Sequence, residues 1–165
     1  MVSTFVCLLG FGLQAASSPA SAPVPATFIT AAEAEAVLKE QIPKNVVDQP
    51  IKLSEVRGGK ASVASLHRAK PETSALIHND VTETYYIVKG SGTIVTGGTL
   101  GDAKPTDLTR VNAGMSQTGT RIGGDARRIK AGDIVIVPAG TPHSFSELDG
   151  PIEYLVYRFE PLVKK

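Results

Sequence analysis

From residue 51 onward the chain is cut into short runs rich in Val, Ile and Thr, each bounded by Gly, Pro, Asn or Asp. No helix intervenes between them, and the punctuation itself predicts many short strands joined by turns. The runs fall at 51–56, 61–67, 74–78, 84–88, 92–96, 127–129, 134–137, 143–146 and 152–159. That many short strands leave few open edges only if they close into a barrel or stack as a two-sheet jelly roll. The segment 97–124, rich in Gly, Thr and Asp, reads as a long loop bordering a pocket entrance. The 165 residues, 42% of them hydrophobic, suit one domain with a sizeable core.

Ahead of the strands, no charged side chain precedes Glu33. Residues 5–13 (FVCLLGFGL) are apolar but too short to span a bilayer. With the small-residue run 15–22 and an Ala-x-Ala site at Ala20 to Ala22, they resemble a signal peptide, so a periplasmic or secreted location is expected. Cys7, the only cysteine, lies in the apolar run 5–13, and the cleaved product would contain no disulfide, thiolate ligand or cysteine nucleophile. The expected organisation is signal peptide and linker over 1–26, a helix and connection over 27–50, and the barrel over 51–165. Thr30 and Glu33 form a capping-box pair, and 31–42 is rich in helix formers before Pro43 ends it.

Seventeen Lys and Arg against sixteen Asp and Glu leave a net charge of +1, with no global field for nucleic acid or an anionic membrane. A small-molecule partner is the expectation. Candidate chemistry gathers in two stretches that hold two of the three histidines. On one continuous strand His78 and Glu83 would face opposite sides, but Asn79 and Asp80 make a good turn pair, which lets both face inward from successive strands. Later, Gly132 opens a strand, 138–140 (PAG) breaks it, and His143 opens the next, returning a second imidazole to the same interior. Two neutral imidazoles and one carboxylate on one face of an octahedron leave positions open for water, oxygen or a bidentate substrate. That donor set is typical of non-haem iron, with Mn, Ni, Cu or Zn as alternatives.

These stretches resemble the two motifs of the cupin superfamily. The first motif, G-x5-H-x-H-x3-4-E-x6-G, is met here by His78, Glu83 and Gly90; the second, G-x5-P-x-G-x2-H-x3-N, by Gly132, Pro138, Gly140 and His143. The resemblance covers roughly 51–160 and implies an all-β double-stranded β-helix, or jelly-roll barrel, with one short N-terminal helix ahead of it. It also implies a metal centre of His78, Glu83 and His143, and a homodimer formed through barrel faces and N-terminal segments.

Several positions depart from the family pattern. Leu76 stands where the first histidine is usual, Lys70 where the first glycine is, and Glu147 replaces the asparagine. Glu147 shares strand parity with His143 and so reads as facing the cavity, as a base or substitute ligand, or else as a solvated carboxylate. Tyr85, two residues beyond Glu83, should point inward, either as a proton-transfer group or as a packed aromatic. A hairpin around 69–72 would put His67 opposite Ala75 rather than beside His78, so His67 reads as a strand histidine. Asp80 has the parity of His78, but its place in a turn explains it.

Two functions follow from this reading. One is a metal-dependent enzyme acting on a small oxygen-rich substrate, dioxygenase-like or lyase/isomerase-like, with Glu147 and Tyr85 as proton-transfer candidates. The other is a non-catalytic module that binds a small ligand with a structural metal. Dioxygenases, decarboxylases, isomerases and lyases share this fold, so the fold does not choose among them.

Overall fold

The computed structural model describes residues 23–162; residues 1–22, with the expected signal peptide and Cys7, lie outside the described residues. The first element is the helix α1 (Ala31–Gln41), whose Thr30 and Glu33 form the reciprocal capping box. It packs on the outside of the sheet that follows, and Gln41 at its end donates to the carbonyls of Val47 and Ser65, both at 2.9 Å. Among the described residues no helix is long and apolar enough to cross a membrane.

Eleven strands follow: β1 (Asp48–Val56), β2 (Gly59–Arg68), β3 (Ala75–His78), β4 (Thr82–Lys89), β5 (Ser91–Thr96), β6 (Thr99–Asp107), β7 (Met115–Ile122), β8 (Asp125–Lys130), β9 (Ile134–Val137), β10 (His143–Leu148) and β11 (Ile152–Pro161). All nine expected strands are present. They form a five-stranded sheet in the order β1-β2-β11-β4-β9 and a six-stranded sheet in the order β6-β7-β3-β10-β5-β8. The chain changes sheets at each step from β2 to β5 and again at each step from β8 to β11. This alternation winds an antiparallel double-stranded β-helix, the architecture expected from the sequence.

Side chains alternate across each strand, so the inward sets of both sheets meet in one core. Leu66, Tyr85, Ile87, Phe145, Tyr154 and Val156 are all buried there. Tyr85, Phe145 and Tyr154 form an aromatic cluster, with the Tyr85 and Tyr154 ring centroids 4.9 Å apart. Near one end of the core the apolar filling gives way to charged and imidazole groups, and the functional site begins there.

Two expectations are corrected. Residues 97–124 are not a loop: β6 and β7 form an antiparallel hairpin around a short 3₁₀ turn, Thr109–Val111, and β7 also pairs with β3. The hairpin lacked a hydrophobic signal because most of its side chains are wholly or partly exposed, and a register shift between Gly101 and Lys104 interrupts it. Second, β2 and β3 do not make a hairpin. Residue His67 pairs with Glu153 of β11, while Ala75 pairs with Gly119 of β7 in the other sheet. The intervening chain crosses the barrel end, where Glu72 bonds the backbone N–H of Phe145 through its carboxylate and the Phe145 carbonyl through its own N–H, both at 2.9 Å.

The turn from β4 to β5 is the tightest test of this crossover. Gly90 has φ of 84°, and a Cβ built on it would lie 2.4 Å from the carbonyl oxygen of Pro151. Only glycine satisfies both conditions. We expect Gly90→Ala to destabilise the fold by about 1–3 kcal/mol, read as a lower urea midpoint; an unchanged midpoint would show that this turn relaxes freely.

Candidate metal centre

His78 ends β3, Glu83 is the second residue of β4 and His143 opens β10, so the site sits where the two sheets face each other. Locally, the sequence brings the two motifs together through the 138–140 turn. Gly140 adopts φ of 79°, and its N–H donates to the carbonyl of His78 at 2.8 Å. His143 also pairs with Leu76 across the β3–β10 contact. The three side chains are nearly fully buried, at 4%, 2% and 5% exposure for His78, Glu83 and His143. One ligand atom from each lies within 4.8 Å of the others, the sole such group among the described residues.

The hydrogen bonds behind the rings set which nitrogen faces the centre. His143 Nδ1 lies 3.0 Å from the carbonyl of Thr141, which can only accept, so Nδ1 carries the proton and Nε2 presents a lone pair. His78 Nδ1 lies 2.8 Å from Ser116 Oγ, and that hydroxyl donates to the carbonyls of Ala113 and Gly114, so it accepts from the ring. His78 Nε2 is thereby also left as a lone pair. Both Nε2 atoms aim at one carboxylate oxygen, Glu83 Oε2, at 3.3 and 3.5 Å. Two lone pairs converging on a buried carboxylate repel one another unless a cation lies among them, and this donor set fits a divalent transition metal.

Glu83 divides its two oxygens between tasks. Oε1 accepts from Arg158 Nε at 2.7 Å, while Oε2 accepts from the Tyr85 hydroxyl at 2.6 Å and faces the histidines. Burial would raise the Glu83 carboxyl, but His78, Arg158 and His143 packed around it overturn this and hold it well below the usual carboxylate range. Tyr85 shifts the other way: burial, reinforced by the Glu83 charge, pushes its hydroxyl well above its ordinary value, so it keeps its proton. Burial also lowers His143, partly offset by Glu83, and favours the neutral, ligating ring.

Arg158 was not singled out in the sequence, yet it organises the site. Its guanidinium makes a bidentate pair with Asp48 at 2.5 and 3.3 Å and donates to the carbonyl of Val111 at 2.6 Å, besides gripping Glu83. A signal was available: Ile152, Tyr154 and Val156 define the inward parity of β11, and Arg158 continues it as a charge at a core position. Ser116 gave no comparable signal, since it lay in the segment read as loop.

The remaining candidates separate cleanly. Tyr85 points inward as expected. Glu147 does not share the cavity with His143: a register irregularity between Phe145 and Glu147 breaks the alternation, and Glu147 is exposed with its carboxylate on Thr93 Oγ1 at 3.0 Å. The parity expectation for Glu147 is therefore corrected. His67 lies between the inward-facing Leu66 and Arg68 and faces away from the site, beside Glu153 at 3.9 Å. Asp80 is not in the metal-ligating group. Leu76 lines the pocket above the three ligands, so the position of the usual first histidine presents an apolar wall. That pocket encloses about 330 Å³ between the site, Leu66, Val111 and Arg110.

Fold and site together define a cupin-fold protein with a His-His-Glu group suited to a metal ion. No protein-family model matches the chain, and no curated protein sequence matches it. Among solved structures, a Bacillus halodurans protein is similar with a TM-score of 0.50 and 13% identity, over 84% of this chain and 85% of that one. A Klebsiella pneumoniae protein with a double-stranded β-helix domain gives a TM-score of 0.42 and 14% identity, over 69% of this chain and 79% of its own. The cupin domain of Schizosaccharomyces pombe Cnp3 gives 0.43 and 10%, over 68% of this chain and 59% of its own. At such identities the likeness is one of fold.

Removing the central cation tests the electrostatics of the site. Arg158→Met leaves the buried Glu83 and the half-buried Asp48 without their shared cation, and we expect a loss of about 3–5 kcal/mol in urea unfolding. A variant as stable as the parent would mean that Arg158 does not hold this end of the barrel.

Proposed function

We propose that the protein is a metal-dependent cupin enzyme that acts on a small oxygen-rich substrate at a centre formed by His78, Glu83 and His143. The observation that carries this reading is the convergence of two unprotonated imidazole nitrogens on Glu83 Oε2 beside a pocket of substrate size. When bound, the cation supplies Lewis-acid or oxygen-activating chemistry to oxygens held in the pocket. Two imidazoles and a carboxylate suit iron first, and manganese, nickel, copper or zinc after it.

The chain's own residues then have distinct tasks. Ser116 and the Thr141 carbonyl fix the imidazole tautomers, and Arg158 fixes the carboxylate plane. Tyr85, protonated and hydrogen-bonded to Glu83, is the one hydroxyl poised beside the ligand oxygens, and it serves as a positioning group and proton donor. Leu66, Leu76 and Val111 keep water from the inner wall. Glu147 has no part in this arrangement, because its carboxylate lies on the outer surface with Thr93.

The reading also carries the expected pairing of two chains. Tyr86, Ile134, Ile136, Tyr157 and Phe159 are all at least 42% exposed on the outer face of the five-stranded sheet, and so large an apolar surface favours association. A monomer mass from size-exclusion chromatography with light scattering would remove the dimer without touching the site.

Metal analysis of the purified protein is the first test: one equivalent of transition metal in the parent and almost none in His143→Ala. Ser116→Ala should bind metal roughly 10–100-fold more weakly, because it loses the partner that orients His78. Oxygen uptake on a panel of diketones, thiols and phenols then separates the classes. Consumption that disappears with the metal supports a dioxygenase, whereas tight ligand binding without turnover favours the non-catalytic module. A parent that neither contains nor takes up metal sinks both readings.

A further inference from the structure

The pocket above the metal centre has an unusual charge account. Asp48, Glu72 and Glu83 are balanced by Arg68, Arg158 and Arg110, all six of them lining it. Two of the three arginines are committed to the fold. Arg158 is spent on Glu83 and Asp48, and Arg68 on Glu72 at 2.9 Å and on the Tyr154 hydroxyl at 2.8 Å. Arg110 differs: it is exposed at the pocket edge, on the 3₁₀ turn, and its side chain has no hydrogen bond or ion pair among the described residues. Its turn is nonetheless fixed in place, because the neighbouring Val111 carbonyl accepts from Arg158.

The protein charges of the pocket therefore sum to zero before any cation is added, with both histidines neutral. A divalent ion on His78, Glu83 and His143 would add two positive charges that no side chain offsets. At a buried pocket floor, where His78, Glu83 and His143 are nearly out of water, such an excess is compensated by the ligand. Arg110 supplies a planar fork of donors matched to a carboxylate, and the inner wall of Leu66, Leu76 and Val111 offers nothing to a ligand with hydroxyls on every carbon.

We propose that the pocket selects a small carboxylate, a 2-hydroxy or 2-oxo acid or close analogue, whose carboxylate end is recognised by Arg110 while its oxygens face the metal. This rests on the metal-centre reading and narrows its substrate class from oxygen-rich molecules in general to anionic ones. Arg110 is the specificity-determining residue, and neutral diketones, polyols and sugars are discriminated against.

The experiment uses the full chain loaded with Co(II), whose visible spectrum reports ligand binding without turnover. Glycolate is titrated against glycolamide, which has nearly the same size and the same hydroxyl but an amide in place of the carboxylate and no charge. Glycolate is expected to perturb the spectrum and bind at least tenfold more tightly. Arg110→Gln should remove most of that preference, leaving Co(II) affinity, the glycolamide titration and the melting temperature unchanged, and Arg110→Lys should recover part of it. Equal affinity for the two probes, or a preference that survives Arg110→Gln, overturns the proposal while the metal reading stands. Tighter binding of inorganic phosphate than of glycolate also overturns it, in favour of a phosphorylated ligand. Failure to take up one equivalent of Co(II) overturns the metal reading, and this proposal with it.

Discussion

The buried contact between Arg158 and Glu83 is the interaction on which the rest of the site depends. A carboxylate with 2% exposure is stable only if its charge is met by donors, and Glu83 has two, Tyr85 on one oxygen and Arg158 on the other. Arg158 also reaches β1 through Asp48 and the 3₁₀ turn through Val111, so a single guanidinium joins β11, β4, β1 and the turn that carries Arg110. The polar end of the barrel is therefore held by charge-assisted hydrogen bonds, and the core beside it by the aromatic cluster of Tyr85, Phe145 and Tyr154. Tyr85 belongs to both, with its ring in the core and its hydroxyl on Glu83.

Much of this was legible in the sequence because it followed local rules. The capping box, the nine strands, the inward direction of Tyr85 and the return of His143 to the vicinity of His78 all rest on short-range patterning and turn chemistry. The β6–β7 hairpin escaped because a largely exposed strand pair carries no alternation of apolar and polar residues to read. Glu147 was misplaced because one irregularity in β10 reverses every side chain beyond it, and an extra residue of that kind leaves no mark in composition. Arg158 lay far from the motifs in the chain, and only the inward parity of β11 hinted at it.

The orientation of the histidines belongs to neither motif. His143 takes its tautomer from a backbone carbonyl two residues earlier, and His78 takes its own from Ser116 on β7, a strand the sequence reading did not find. A motif can name the ligands of such a centre while the hydrogen bonds that make them ligands come from elsewhere in the fold.

The pairing between β3 and β10 has a consequence for how the barrel is assembled. They meet in register at one residue pair, His143 with Leu76, although each is secured on its other side, β3 by β7 and β10 by β5. The six-stranded sheet is thus two three-stranded halves joined along a thin seam, and His78 and His143 stand on opposite sides of it. A cation shared by those rings would work as a rivet through that seam. Its loss would be felt as a widening between the halves, at the wall of the pocket that Leu76, His78 and His143 line.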